Sequence, residues 1–200
     1  MKMRRIARLG GGLFLLAATG SVLAVAAGAP PVDLKGLARV AGRAAEDTVV
    51  WLEAPNAPAR PPAGPVVLDQ RNLAFSPHVL VVRVGTAVDF PNDDRVFHNV
   101  FSFRDGKRFD LGMYPVGSSR KVTFDQPGLS RIFCNIHPNM AAYVVAVDSP
   151  YFGRADRSGD FIIADVPAGT YKYHAWRPGA AAELTGTWTS TAGALTIEWL

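Results

Sequence analysis

The sequence predicts an all-β fold, and two features carry that prediction. Short runs rich in Val, Ile and Phe recur along the chain, separated by Gly, Pro, Asn and Asp. Such runs suit strands and such separators suit turns. No segment repeats apolar residues at helical spacing for three turns. The spacing of the runs fits a β-sandwich.

Residues 1–29 stand apart as an expected signal peptide. Lys2, Arg4, Arg5 and Arg8 precede an apolar run over residues 13–27. Ala24-Val25-Ala26 and Ala27-Gly28-Ala29 both fit a small-residue cleavage pattern. The segment therefore implies export to the periplasm, with cleavage after Ala26 or Ala29. An uncleaved anchor is the alternative, and membrane attachment is expected only in that case. These four cations are part of 21 basic residues, so the 171 residues from Pro30 onward hold 17 basic and 17 acidic side chains. No basic stripe is left for nucleic acid. The remainder suffices for one large β-domain, or for one domain with an appendage. A monomer is expected. Cys134 is the single cysteine, which excludes an internal disulfide. A bare thiol in an exported chain is prone to oxidation, which favours a ligand role.

Residues 30–47 read as a linker with a weak first strand at 38–42. A firm strand at 48–53 opens the main domain, 48–150. The loop at 54–65 is too rich in Pro for regular structure. Further strands are expected at 66–68, 79–84, 87–90, 99–103, 108–111, 119–124, 131–133 and 142–147. Residues 151–200 form a C-terminal extension, with strands at 161–164, 170–176, 184–190 and 194–199. The strand near Val40 can pair with this extension, which would interleave the two parts.

The residues that carry chemistry are few. Cys134-Asn135-Ile136-His137-Pro138-Asn139-Met140 presents a thiolate, an imidazole and a thioether at three-residue spacing. His98 lies 36 residues before Cys134, in a β-type run. Two imidazoles and a thiolate in a plane, with a long axial thioether, are the ligands of a mononuclear electron-transfer copper site. The candidate ligands of one copper ion are thus His98, Cys134, His137 and Met140. One tight loop would deliver three of them, and a strand would anchor the fourth. Asn99 and Asn135 are candidates for the hydrogen bonds that orient the loop.

The chain resembles the cupredoxins. The resemblance rests on Phe75-Ser76-Pro77, Gly85-Thr86-Ala87-Val88-Asp89-Phe90, Asn92-Asp93-Asp94, His98-Asn99-Val100, Pro127-Gly128 and Ile132-Phe133-Cys134, with His137 and Met140 after them. It covers most of residues 48–152 and implies a Greek-key β-sandwich. The loop spacing is most similar to amicyanin, and the whole chain to proteins labelled methylamine-utilization or plastocyanin-like. Asp69-Gln70-Arg71-Asn72, Phe109-Asp110-Leu111-Gly112 and Ser149-Pro150-Tyr151-Phe152 are features shared with the latter. Ala141-Ala142 stand where amicyanin has Gly, and Asn-Ile follows Cys134 in place of a small hydroxyl residue and Pro. The resemblance further implies redox proteins as partners, with electrons leaving through His137 near Pro138. Residues 160–171 resemble a carboxypeptidase regulatory-like, transthyretin-like β-module. The expected appendage is therefore a C-terminal hairpin or part of such a module.

Other readings remain open at this stage. Cys134, His98 and His137 are also zinc ligand types, although Met is a poor zinc ligand. Met140 can simply pack in a core. His78 reads as a partly exposed strand residue, with a fifth-ligand role as the alternative, and His174 reads as surface or packing. Copper oxidases and nitrite reductases need a second, histidine-rich copper centre, and this chain has only four histidines. An electron carrier is therefore expected in place of an enzyme. A periplasmic copper carrier or storage protein is the alternative, followed by an interaction module centred on the C-terminal extension.

Overall fold

The computed structural model describes residues 29–54, 57 and 64–200. The expected signal peptide, Ala29 apart, and most of the loop expected at 54–65 lie outside the described residues. Within them all regular structure is β, and no helix is long and apolar enough to cross a membrane.

Three strands lie at the N-terminal end: β1 (Val32–Val40), β2 (Arg43–Ala44) and β3 (Val49–Leu52). A middle group follows with β4 (Val66–Val67), β5 (Asp69–Arg71), β6 (Ala74–Ser76), β7 (Val79–Arg83) and β8 (Thr86–Pro91). It continues with β9 (His98–Ser102), β10 (Phe109–Tyr114), β11 (Ser119–Phe124), β12 (Gly128–Phe133) and β13 (Ala141–Val147). The C-terminal group is β14 (Phe152–Arg154), β15 (Asp160–Val166), β16 (Thr170–Trp176), β17 (Leu184–Thr189) and β18 (Leu195–Trp199).

The middle group makes a sandwich. A five-stranded sheet in the order β10-β9-β12-β13-β7 faces a smaller sheet, β11-β8-β4, with β5 and β6 paired as a separate hairpin. The strands alternate as a half-buried sheet requires. On β8, Thr86, Val88 and Phe90 are buried while Ala87 is exposed. The core between the sheets holds Val82, Val88, Phe90, Val100, Phe124, Ile132 and Val144, and also Cys134 and Met140.

A second sandwich is built from both ends of the chain. One sheet runs β15-β1-β18 with β2 paired to β1, and the other runs β14-β3-β16-β17. Leu34, Ala38, Leu52, Phe161, Ile163, Ala175, Trp188 and Ile197 fill the space between them. The strand near Val40 does pair with the C-terminal part, antiparallel to β15 and parallel to β18. The segment expected as a linker with a weak strand is thus a central nine-residue strand. Gly36 explains part of its disguise. A Cβ there would lie 2.1 Å from Cζ of Phe161 and 2.6 Å from the Leu195 carbonyl oxygen.

The strand expected at 48–53 to open the main domain pairs elsewhere. β3 is hydrogen-bonded to β14 and β16, so it belongs to the second sandwich and corrects the boundary at residue 48. Its two faces give the reason. Val50 and Leu52 enter the second core, whereas Val49 and Trp51 join Val79, Val145, Val147, Tyr143 and Trp176 in a third cluster. That cluster seals the second sandwich against the outer face of the five-stranded sheet. β13 is accordingly buried without interruption over Val144–Val147, as a strand covered on both faces must be. The C-terminal hairpin expected from the sequence is one part of this larger unit.

Candidate metal centre

The β12–β13 hairpin creates the loop that carries three of the four expected ligands. Its last ladder pair is Phe133 with Ala141, so residues 134–140 are the connection. The Met140 N–H donates to the His137 carbonyl at 2.9 Å, and the Cys134 N–H donates to the Met140 carbonyl at 3.3 Å. These two bonds fold the loop back on itself. Neighbouring β9 begins with His98, and β9 meets β12 where Phe101 pairs with Phe133. His98 is thereby delivered to the same end of the sandwich.

Donor atoms converge there. His98 Nδ1 lies 3.8 Å from Cys134 Sγ, His137 Nδ1 lies 3.7 Å from it, and the two nitrogens are 3.0 Å apart. Among the described residues this is the one group of three or more His, Cys, Asp or Glu side chains whose donor atoms gather within 4.8 Å. His98 is fully buried and Cys134 is 5% exposed, while His137 is half-buried. Met140 buries its side chain in the core cluster that contains Cys134.

A metal ion fits this donor set. Nitrogen and sulfur ligands about 2.0–2.3 Å from one ion lie roughly 3–4 Å from each other, which is the observed separation. The hydrogen-bond pattern supports the fit. His98 Nε2 lies 2.9 Å from Oδ2 of Asp94. A carboxylate only accepts, so the His98 proton sits on Nε2 and the Nδ1 lone pair faces Cys134 and His137.

Asp94, which the resemblance includes within Asn92-Asp93-Asp94 without assigning it a role, is the further residue of the site. It stands four residues before His98, and nothing in a loop marks such a side chain as aimed at a histidine. Its Oδ2 also accepts the Leu73 N–H at 2.7 Å, and its Oδ1 accepts the Arg95 N–H at 2.8 Å. The Leu73 N–H first, then the His98 ring and the Arg95 N–H, hold its carboxyl at about 2 against the upward push of burial. The expected role of Asn99 takes a definite form. Its Oδ1 accepts the backbone N–H of Asn135 at 2.7 Å, and its Nδ2 donates to Asp110 at 3.2 Å. Asn135 contributes through its backbone.

The other two histidines are engaged elsewhere. His78 is 51% exposed and faces Asp47, 2.9 Å away. His174 lies between Glu53 and Glu183 and stacks on Trp51. Neither belongs to the converging group.

The chain matches no family model and no curated protein. Solved structures similar to part of it include a novel purple cupredoxin from Nitrosopumilus maritimus. That match has 26% identity over 41% of this chain and 99% of the other, at a TM-score of 0.38. Copper-containing nitrite reductase from Thermus scotoductus SA-01 matches at 27% identity over 48% of this chain and 25% of its own, with a TM-score of 0.40. Amicyanin from Paracoccus versutus matches at 23% identity over 49% of this chain and 97% of its own, with a TM-score of 0.39.

Proposed function

We infer that the chain is an exported, cupredoxin-like protein that holds one copper ion on His98, Cys134, His137 and Met140 and carries single electrons between redox proteins in the periplasm. The convergence of one thiol sulfur and two imidazole nitrogens carries this reading. A bound copper ion would supply a one-electron couple between Cu(I) and Cu(II). The protein's part is to keep the donors still. Cys134 and His137 sit on a loop closed by backbone bonds, and His98 is held by its strand and by Asp94. Burial of His98, Cys134 and Met140 keeps water from the donor atoms, which favours a ligand set that does not rearrange with oxidation state.

His137 is the donor nearest to solvent. It lies beside Ile136, which is 50% exposed, and the exposed Pro138. Exposed Ile136 and Pro138, set between the exposed amides of Asn135 and Asn139 beside a half-buried ligand, suit brief docking of a redox partner at this end. An electron carrier is favoured over an enzyme because, among the described residues, neither His78 nor His174 joins a second group of converging donor atoms that could form another copper centre.

Voltammetry of the copper-loaded protein, with a Cu(I) chelator in competition, tests the carrier role. A reversible one-electron wave with copper retained in both states is expected. Loss of the metal to the chelator on reduction would instead identify a copper-delivery or storage protein.

A further inference from the structure

The β5–β6 hairpin carries the Asp69-Gln70-Arg71-Asn72 motif, and none of its side chains is a metal ligand. Its turn is unusual. Asn72 and Leu73 both have left-handed backbone, with φ of 53° and 57°. Two such residues form a tight hairpin turn for which Asn followed by Gly is the favoured pair. Leu occupies the position that favours Gly, and its 50% exposure leaves little burial to offset the steric cost. A residue held in such a conformation points to a requirement imposed by its surroundings.

The turn delivers the Leu73 N–H to Oδ2 of Asp94, at 2.7 Å. The same oxygen accepts the proton on His98 Nε2. Several contacts tie the hairpin to the segment that carries Asp94. The Gln70 carbonyl accepts the Asp93 N–H at 3.0 Å, and Gln70 bridges Asn92. The buried Gln70 side chain donates to the Pro91 carbonyl at 2.9 Å and to the Tyr114 hydroxyl at 2.6 Å. Arg71 donates to Asp69 at 3.1 Å and to Asp93 at 3.0 Å.

We propose that this hairpin is a positioning element for the metal site, a role that rests on the copper reading above. Through the Leu73 N–H and Asp94 it fixes the His98 ring with its proton on Nε2 and its Nδ1 lone pair toward Cys134 and His137. Gln70 and Arg71 act on the centre without touching it, because they hold the hairpin over residues 91–94. A proton on Nδ1 would close one of the three converging positions to a metal.

The test begins with the metal-free protein and long-range proton–nitrogen NMR of the His98 ring. Leu73→Gly keeps the N–H and suits the left-handed turn. It and wild type are expected to show a single neutral tautomer protonated at Nε2. Leu73→Pro lacks the N–H and cannot take the left-handed φ of the turn; with both the donor and the turn removed it is expected to show a tautomer mixture, with copper affinity lowered about ten-fold. The Arg71 side chain is 59% exposed, so Arg71→Ala is tolerated by the fold. It should shift the tautomers in the same direction by less, and Arg71→Lys should largely reverse the effect. Arg71→Ala decides the matter if Leu73→Pro fails to fold. An unchanged Nε2–H tautomer in every folded variant overturns the proposal while leaving copper binding intact. Failure of wild type to bind copper overturns the metal reading, and this role with it, even where the tautomers shift.

Discussion

His98 is restrained at both ring nitrogens, by Asp94 at Nε2 and by the converging donors at Nδ1. Asp94→Asn replaces the acceptor carboxylate with an amide that can also donate. Copper affinity is expected to fall by about 10- to 100-fold, measured by chelator competition. His98, Cys134 and His137 were legible in the sequence because their side-chain types and spacing are chemically restrictive. The role of Asp94, named only within Asn92-Asp93-Asp94, was not, since it depends on a hairpin 21 residues earlier presenting the Leu73 N–H. Tyr114 gives a separate test at this scale. It is the ladder partner of His98, donates to the Phe90 carbonyl and accepts from Gln70. Burial pushes its phenol up from 10.0 to about 12. The folded value lies above the unfolded one, so this contribution is complete below about pH 10 and is lost as pH rises toward about 12. Urea midpoints should fall over that window in wild type, and less steeply in Tyr114→Phe.

Strands were legible where their inward residues are large. The runs expected at 79–84, 119–124 and 142–147 correspond to β7, β11 and β13 because Val and Phe fill one face or both. β1 was seen only as a weak strand, because Gly36 and Ala38 are two of its three buried residues. The ring of Phe161 lies over Gly36, so part of the apolar signal of β1 resides in another strand. Gly36→Ala is expected to lower stability by about 1–3 kcal/mol through overpacking, read by denaturant titration. The copper spectrum of the folded variant should not change, since β1 lies in the sandwich without the donors. The strand at 48–53 was recognised, but its partners were not. Its continuous apolar run, Val49-Val50-Trp51-Leu52, fits a strand of either sandwich, and pairing with β16, more than a hundred residues away, leaves no local mark.

For the whole molecule, the two sandwiches depend on each other through the cluster of Val49, Val79, Val145 and Val147. His78 faces Asp47 and adds a polar contact across the seam, while Arg154 holds the same carboxylate from within the second sandwich. Because the second sandwich takes strands from both chain ends, residues 153–200 are not a detachable appendage. Their deletion removes β15–β18 and most of β14, leaving β1 paired only with the two-residue β2 and β3 without β16. Hydrogen exchange on that truncation should show protection lost over 32–54, with Leu34 and Leu52 uncovered and a tendency to aggregate. Retention of full protection there would contradict the interleaved architecture.

Titration of the protein with Cu(II), followed by visible absorption and paramagnetic resonance, is the decisive check that one copper ion sits on Cys134. Wild type should saturate at one equivalent and show an intense sulfur-to-copper band that disappears in Cys134→Ser. A wild-type protein that stays colourless with Cu(II), or a Cys134→Ser variant with the wild-type spectrum, would contradict that assignment.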